Sequence, residues 1–254
     1  MRLRRVLSRS PGLHPWVGRT KSKPARRNPV VVSGDAAPRS ELDAAGMRMG
    51  TESNPGNDIV YDAEKDLQHR LSLATPQHTT RGFLFTSMLR VVRELGQNEA
   101  MVQRCLAASG EKSFAEFFNY PTRSLLLLLS AAARALSPRY NDNFEEALRQ
   151  IGFKAGQSYM ETAVGRTALQ QAGSSPQQFM IALQTLYWVV TTYGKPAVSW
   201  TGPNSGAITI QRTFLPLAYH EGGAWAIAQK LGIKLVSVRA RKTGDLSIEL
   251  EVSW

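Results

Sequence analysis

The sequence predicts an α+β domain in which a helical bundle packs on a small four-stranded antiparallel sheet. Apolar residues recur at helical spacing through most of the stretch 80–194. Two hairpin-like pairs of short β runs follow in the stretch 195–254 and flank one further helix. The last run alternates apolar and polar residues, which is typical of a strand with one face on a core and the other in water.

The first predicted helix covers 80–96, and Gly96 is a natural stop. Its apolar side chains recur at helical spacing at Phe83, Leu84, Met88, Leu89, Val92 and Leu95. A second helix follows and ends at Gly110. It contains the single cysteine of the chain, Cys105, between apolar neighbours. We expect this thiol to be buried and inert.

The third helix contains the most apolar run of the chain, residues 125–133. Arg123 and Arg134 bound this run, which is about half as long as the ~20 apolar residues that a bilayer span requires. We therefore expect a helix that is buried on nearly all sides rather than a membrane span.

A long helical pattern begins after Asn143, which is placed to cap it with Glu146 at the spacing of a capping box. Gly152, Gly156 and Gly165 interrupt the pattern. Glycine inside a helix costs about 1 kcal/mol relative to alanine. Close approach of a neighbouring helix is the usual compensation, so we expect tight helix packing here.

The stretch AVGRTAL, residues 163–169, looks like the end of a phosphate-binding loop. Such a loop needs an earlier glycine, a lysine and a preceding strand. Met160 and Arg166 stand at the glycine and lysine positions, and no strand pattern precedes them. Backbone amides bonded inside a helix cannot wrap a phosphate, so we expect no phosphate loop.

The next helix has clear boundaries, with Ser175 at its cap, Pro176 at its first position and Gly194 after its end. The first hairpin pattern then turns at Gly-Pro-Asn-Ser-Gly, one helix ends at Gly232, and the second hairpin turns at Lys-Thr-Gly-Asp. These signals give the order helices, hairpin, helix, hairpin.

Arg239, Arg241 and Lys242 lie on the first strand of the last hairpin and its turn. They could form an anion-binding patch. The alternative is a solvent-facing sheet surface on which Glu249 and Glu251 oppose them from the partner strand.

Catalytic signatures are scarce. Neither Gly-x-Ser-x-Gly nor a dinucleotide-binding fingerprint occurs. His220 is the only histidine inside 81–254, and one histidine without a second histidine or cysteine nearby is a poor metal site. Glu221 points in another direction on a helix, so the two residues need not form an acid–base couple. We expect a packed or surface His220, no catalytic residue, no metal and no cofactor.

The basic charge is concentrated at the N-terminus. The formal net charge is +11, of which residues 1–46 carry +7. This segment is rich in Arg, Pro, Ser and Gly and has no apolar period, so we expect disorder. It is either a basic arm for nucleic acid or anionic lipid or the product of a start codon assigned too early, with translation beginning at Met47 or Met49. A secretory signal would need an apolar region that is absent after the basic start.

Residues 47–80 are polar and broken by Pro55 and Pro76. The predicted organisation is therefore a disordered basic segment, a polar linker with one short helix near 62–73, and a single α+β domain over 81–254.

Four stretches give the chain a recognisable order: TRGFLFTSMLRVV, FFNYPTRSLLLLLSAAARAL, FEEALRQIGFKAGQSYMETAVGRTAL and LEVSW. In order and spacing they resemble a family of uncharacterised proteins found essentially in myxobacteria, over roughly residues 80–254. That family looks like a distant member of the ligand-binding fold of haem-nitric-oxide sensors, 4-vinyl-reductase-type domains and Golgi transport tethering subunits. The haem sensors carry a Tyr-x-Ser-x-Arg motif that is absent here.

The resemblance implies that an apolar ligand is held between helices and sheet, often in a dimer, without catalysis. We interpret the chain as a non-enzymatic cytoplasmic small-molecule-sensing or adaptor protein with an apolar cavity. We expect an apolar small molecule to occupy it, and Phe179, Leu183, Tyr187 and Trp225 to line it. The alternative is a ligand-free protein–protein interaction module of signalling or trafficking type. A homodimer or a protein partner is expected, and nucleic acid would bind only through residues 1–46.

Overall fold

The structure, a computed structural model, describes residues 62–172 and 175–254. The predictions for residues 1–46 and for 47–61 lie outside the described residues. Eight α-helices lie within the described ranges: α1 (Ala63–Leu73), α2 (Gly82–Gly96), α3 (Glu99–Ala108), α4 (Thr122–Leu136), α5 (Phe144–Met160), α6 (Ala163–Ala172), α7 (Pro176–Val190) and α8 (Leu217–Lys230). The strands there are β1 (Thr79–Arg81), β2 (Asn119–Pro121), β3 (Lys195–Gly202), β4 (Ser205–Gln211), β5 (Ser237–Lys242) and β6 (Ile248–Ser253).

The predicted α+β class is confirmed. Strands β3 to β6 form one antiparallel sheet in the order β3-β4-β6-β5, and β1 pairs with β2 in a separate short ribbon. The two hairpins join through β4 and β6, where Ile208 lies opposite Leu250. Ile248, Leu250 and Val252 are buried while the residues between them are more exposed, so one face of β6 packs on the core.

The helices α2, α3, α4 and α5 supply most of one continuous apolar core. Its fully buried side chains include Phe85, Met88, Leu125, Leu128 and Ile151. The apolar run of α4 is buried on almost every side, as predicted, because α2, α3 and α5 pack around it. Across the described ranges, none of the helices combines the length and the apolar character that a membrane crossing needs.

Helix α1 occupies the position where a short helix is predicted in the polar linker. Asp62 caps it through its side chain. Arg70 of this helix is buried, although its sequence neighbourhood is polar. Its guanidinium bonds to the Asp66 carboxylate at 2.6 Å and donates to the backbone oxygens of Phe214 and Leu215 at 3.1 and 3.2 Å. Arg70 therefore ties helix α1 to the segment that leads into α8. The predicted start of the α+β domain at residue 81 stays a prediction.

Helix α5 begins as the capping signal predicts, because the Asn143 side chain accepts a hydrogen bond from the Glu146 amide at 2.9 Å. The long helical pattern does not continue unbroken, since α5 ends at Met160 and α6 starts at Ala163. The Thr162 hydroxyl accepts from the Gly165 amide at 3.0 Å. AVGRTAL is thus the first part of a helix and not a loop.

Helices α5 and α8 cross at very short distance through glycine. A Cβ built on Gly152 would lie 2.2 Å from the Tyr219 carbonyl oxygen, and one on Gly222 would lie 1.9 Å from the Arg149 carbonyl oxygen. Any side chain at these positions would collide with backbone. The tight packing predicted from the glycines of α5 is therefore present, and α8 is the helix that approaches.

Candidate functional site

An apolar cavity of about 110 Å³ lies where the crossing helices meet the sheet and α7. Helices α2, α5, α7 and α8 and strands β4 and β6 contribute to its wall. The lining side chains are almost all apolar, and none of them carries a charge at neutral pH. The aliphatic side chains of the wall are those of Leu84, Ala155, Leu183, Leu186, Val190, Ile208, Ile210, Leu215, Ala224, Ile227 and Leu250. Apolar walls with few polar groups are typical of small-molecule pockets.

Two of the four predicted lining residues, Leu183 and Tyr187, belong to this wall. Phe179 is fully buried and Trp225 is 7 % exposed, but the wall does not include them. The α8 residues that line the cavity recur at the spacing of one helix face, namely Tyr219, His220, Gly223, Ala224 and Ile227. Trp225 lies off that face. Binding of a ligand by any of these residues stays a prediction.

The α7 side of the cavity is partly exposed. Leu183 and Leu186 line the cavity and are only partly buried, whereas Tyr187 and Val190 on the same helix are buried. Helix α7 therefore covers this side of the cavity with half-buried side chains.

The glycines of the crossing are part of the wall. Gly152 and Gly156 of α5 and Gly223 of α8 line the cavity. A Cβ on Gly156 would lie 2.9 Å from the Ala226 Cβ, whereas the nearest atom to one on Gly223 is 3.8 Å away. The backbone of two helices therefore sets much of the shape of this space.

Among the titratable side chains of the wall, His220 has the reference pKa that is closest to 7. Its Nε2 atom lies 3.0 Å from the Thr213 Oγ1. Burial and, to a smaller extent, the charge of Arg70 lower the pKa of His220 to about 3. The imidazole is therefore neutral at physiological pH. Its Nδ1 atom forms no hydrogen bond with the described residues.

Tyr187 lines the cavity beside His220, with their ring centroids 6.3 Å apart. Its hydroxyl is shut off from solvent and has no hydrogen-bond partner within the described residues. Burial raises the pKa of Tyr187 well above its usual value, and the nearby Tyr193 adds to this rise, while the hydroxyls of Thr213 and Thr191 act in the opposite direction. Both threonine hydroxyls have other contacts, Thr191 with two carbonyl oxygens and Thr213 with His220, and neither forms a hydrogen bond with the Tyr187 hydroxyl. Buried polar groups without a partner are uncommon.

Glu221 stands next to His220 in sequence but belongs to a different contact network. Its carboxylate accepts from the Arg149 guanidinium at 2.9 Å and from the Ala240 amide at 2.9 Å. It therefore ties α8 to α5 and to β5. The structure agrees with the expectation that His220 and Glu221 do not form an acid–base couple.

A larger and more polar depression of about 930 Å³ lies along the start of β3 and the end of β4. His78, Lys195, Arg212 and Glu249 contribute to it. Burial and the charge of Arg212 lower the pKa of His78. The Nδ1 atom of His78 is occupied, since it accepts from the Thr75 amide at 3.0 Å.

The basic side chains of β5 are matched by acidic ones on β6. Arg239 lies opposite Glu251 and Arg241 opposite Glu249 in the register. Arg241 forms ion pairs with Glu249 and Glu251. The sheet surface is therefore charge-balanced, which favours the second of the two interpretations of this strand.

The Cys105 side chain is 1 % exposed, and burial raises the pKa of its thiol. The thiol is therefore buried as predicted, and its raised pKa leaves little of the reactive thiolate. In the parts of the chain that the structure describes, no three His, Cys, Asp or Glu side chains gather as metal ligands would.

Solved structures with a similar fold include H-NOX domains. A structure from work on "Modulating Heme Redox Potential Through Protein-Induced Porphyrin Distortion" matches with a TM-score of 0.52 and 13% identity, covering 68% of this chain and 99% of the other. A double variant of Tt H-NOX matches with a TM-score of 0.53 and 12% identity, covering 68% and 94%. Cs H-NOX carrying an unnatural amino acid matches with a TM-score of 0.52 and 11% identity, covering 68% and 95%.

At these identities the likeness concerns the fold alone. A search of curated proteins gave no match. The match by sequence family covers residues 73–254, which includes every element from the end of α1 to β6 and the whole wall of the cavity. The chain therefore belongs to the family described as protein of unknown function DUF2378.

Proposed function

We propose that this chain is a non-enzymatic, cytoplasmic small-molecule-sensing or adaptor protein whose ligand occupies the cavity between α5, α7, α8 and the sheet. The observation that carries the proposal is the apolar space of about 110 Å³ beside Tyr187. A filled interior at this position would have left only an interaction surface. The buried, unpaired Cys105 agrees with a cytoplasmic location.

Catalysis is not part of the proposal, because the polar groups near the cavity do not converge on an open space. His220 is neutral and bonded to Thr213 through Nε2. Glu221, the carboxylate nearest to it in the chain, is engaged by Arg149 and the sheet. An active site needs two or three functional groups around a position where a substrate can react.

Haem, which is named for one of the structural neighbours, does not fit the residues present. The cavity of about 110 Å³ is well below the roughly 300 Å³ at which pockets for larger ligands begin. The described wall contains no Arg or Lys that would neutralise the haem carboxylates. The imidazole of His220 already uses its Nε2 atom for Thr213. We therefore propose a small organic ligand.

The cavity can be tested with xenon, which binds apolar protein cavities of similar size. We expect xenon to shift the methyl resonances of Ile208, Ile210 and Ile227 in NMR spectra. Gly223→Ala adds a methyl group to the wall and should weaken xenon binding severalfold. Gly244→Ala, in the turn between β5 and β6, adds the same group away from the cavity and should leave binding unchanged.

Xenon shifts that are absent, or that Gly223→Ala and Gly244→Ala affect equally, would remove the support for a ligand cavity. If xenon binds as expected, native mass spectrometry of the protein purified from its own host would identify the ligand, because a retained molecule adds its own mass.

The second candidate is a protein–protein interaction module, and exposed apolar residues on the outer face of α7 favour it. Ile181 and Trp188 are 50% and 57% exposed and lie two helical turns apart on one face. Large exposed apolar groups that share a face are typical of interaction sites. A homodimer through α7 is the simplest form of this candidate.

Light scattering tests the dimer. Trp188→Ser should halve the measured mass, whereas Trp200→Ser, at a tryptophan of similar exposure on β3, should not. A wild-type chain that is monomeric at every concentration would contradict the homodimer.

A further inference from the structure

The cavity wall offers a polar anchor in addition to its apolar surface. His220 lines the cavity and is only partly buried. Its Nε2 atom is held by Thr213, and Nδ1 has no partner among the described residues. Neutral imidazole has one donor and one acceptor nitrogen, so Nδ1 is available for exactly one hydrogen bond of either kind, depending on the tautomer.

The arrangement around Thr213 shows that this anchor is fixed in orientation. The Thr213 hydroxyl contacts His220 at 3.0 Å and accepts from the Leu215 amide at 3.3 Å. The buried Tyr187 hydroxyl lies close by without a bond of its own. A group that binds Nδ1 selects the tautomer, and therefore selects which way the Thr213 hydroxyl points in this small network.

The volume of the cavity and the lack of charge in its wall limit which ligands can bind. The volume of about 110 Å³ is smaller than the ~150 Å³ cavity that holds benzene, so the ligand has at most about six heavy atoms. The described wall has no charged side chain that could compensate an ionic ligand. A hydroxyl group both donates and accepts, so it suits either tautomer of the imidazole.

We propose, on the basis of the proposed function, that the cavity binds a small neutral alcohol with an aliphatic body and that His220 Nδ1 hydrogen-bonds its hydroxyl group. The aliphatic body contacts Ile208, Ile227 and Leu250 in the wall. His220 is a binding residue in this proposal and takes no part in a chemical step.

Cyclopentanol and methylcyclopentane are suitable probes because they have the same shape and differ by a hydroxyl in place of a methyl group. The folded chain is titrated with each probe, and binding is followed by ¹H–¹⁵N NMR. The ¹⁵N signal of the His220 Nδ1 atom is followed in the same samples. We expect cyclopentanol to move this signal and methylcyclopentane to leave it in place.

The variant His220→Leu removes the anchor at similar side-chain volume. It should weaken cyclopentanol binding about tenfold and leave methylcyclopentane binding within about twofold, since a buried hydrogen bond contributes on this scale. Leu183→Met, a conservative change elsewhere in the wall, should affect both probes alike. The Nδ1 signal is read in the wild-type chain, so the test stands even where His220→Leu fails to fold.

The outcomes separate this inference from the proposed function. Two outcomes would contradict the proposal of an alcohol ligand and leave the proposal of an apolar cavity standing. In the first, methylcyclopentane binds and cyclopentanol does not; in the second, both bind and the Nδ1 signal of His220 does not change. Failure of both probes together with failure of xenon overturns the two proposals at once. If neither probe binds but xenon does, only the proposal of an alcohol ligand is contradicted.

Discussion

Two buried tyrosines of nearly equal exposure differ in their hydroxyl contacts, and this difference has a measurable consequence. Tyr187 has no hydrogen-bond partner in the described part of the chain, whereas the Tyr193 hydroxyl lies 3.3 Å from the Thr80 hydroxyl. Both side chains are 6% exposed.

Tyr187→Phe should therefore leave the free energy of unfolding unchanged or raise it, because it removes a buried polar atom that nothing satisfies. Tyr193→Phe should lower the free energy of unfolding by about 1 kcal/mol. Urea denaturation measures both variants. A loss of 1 kcal/mol or more in Tyr187→Phe would show that its hydroxyl is bonded in solution.

His220 makes stability depend on pH in a defined direction. Its pKa is about 3 in the folded chain against a reference value of 6.5, so the unfolded chain binds the proton more readily between these values. Its contribution is complete above pH 6.5 and is lost as the pH falls toward 3. The free energy of unfolding should fall by about 1.4 kcal/mol per pH unit on account of this residue.

His220→Gln keeps a polar group for Thr213 and cannot titrate in this range. The slope between pH 6 and pH 4 in urea denaturation should be lower in this variant than in the wild type by that amount. His78 also has a lowered pKa, but it is present in both proteins and cancels in the comparison. Equal slopes would place His220 in contact with solvent.

At the scale of single elements, the crossing of α5 and α8 distinguishes two adjacent glycines. A Cβ on Gly222 would lie 1.9 Å from a backbone oxygen, whereas one on Gly223 has its nearest neighbour at 3.8 Å. The two positions lie on the same helix and have negative φ, so intrinsic helix propensity treats them alike.

Gly222→Ala should lower the free energy of unfolding by about 2 to 3 kcal/mol, because the helices must separate. Gly223→Ala should be neutral or should raise it by up to about 1 kcal/mol through helix propensity. Thermal or urea denaturation of the pair is the measurement. A similar effect of both changes would mean that α5 and α8 are not in close contact.

Local signals in the sequence predict the elements better than they predict the site. The caps at Asn143 and Ser175 and the alternation in β6 depend on neighbouring residues alone, and the structure confirms them. The cavity depends on which helix approaches the glycines of α5, and this contact is far away in sequence. Helical periodicity places Phe179 on the same face as Tyr187, but the cavity lies beside only the later turns of α7.

Other contributors to the site carry no chemical signature. Gly152, Gly156 and Gly223 shape the wall because they have no side chain. The sequence shows only that these glycines interrupt a helical pattern. The unsatisfied hydroxyl of Tyr187 is a property of the packed state. The pairing of Glu221 with Arg149 follows from the crossing and not from their neighbours in sequence.

At the scale of the whole molecule, Arg70 joins the start of the described chain to its C-terminal half. It is the buried cation between the Asp66 carboxylate and the carbonyl oxygens of Phe214 and Leu215. The same charge contributes to the lowered pKa of His220. The ion pair is therefore part of both the fold and the environment of the cavity.

Arg70→Met should lower the free energy of unfolding by about 3 kcal/mol, because Asp66 loses its shortest ion pair and two carbonyl oxygens lose their donor. The pKa of His220 should rise in the same variant, since a nearby positive charge is gone. Urea denaturation and NMR titration measure the two effects. The double variant Asp66→Asn with Arg70→Met should recover part of the stability.

The glycine crossing also limits how this protein can respond to whatever it holds. Since backbone rather than side chains forms that part of the enclosure, a guest that is slightly too large cannot be accommodated by rotamer changes there. The two helices would have to tilt as rigid rods. The contacts of Glu221 with Arg149 and with Ala240 would transmit such a tilt to strand β5 at the edge of the sheet. A molecule bound in the cavity would therefore change the position of a strand at the protein surface.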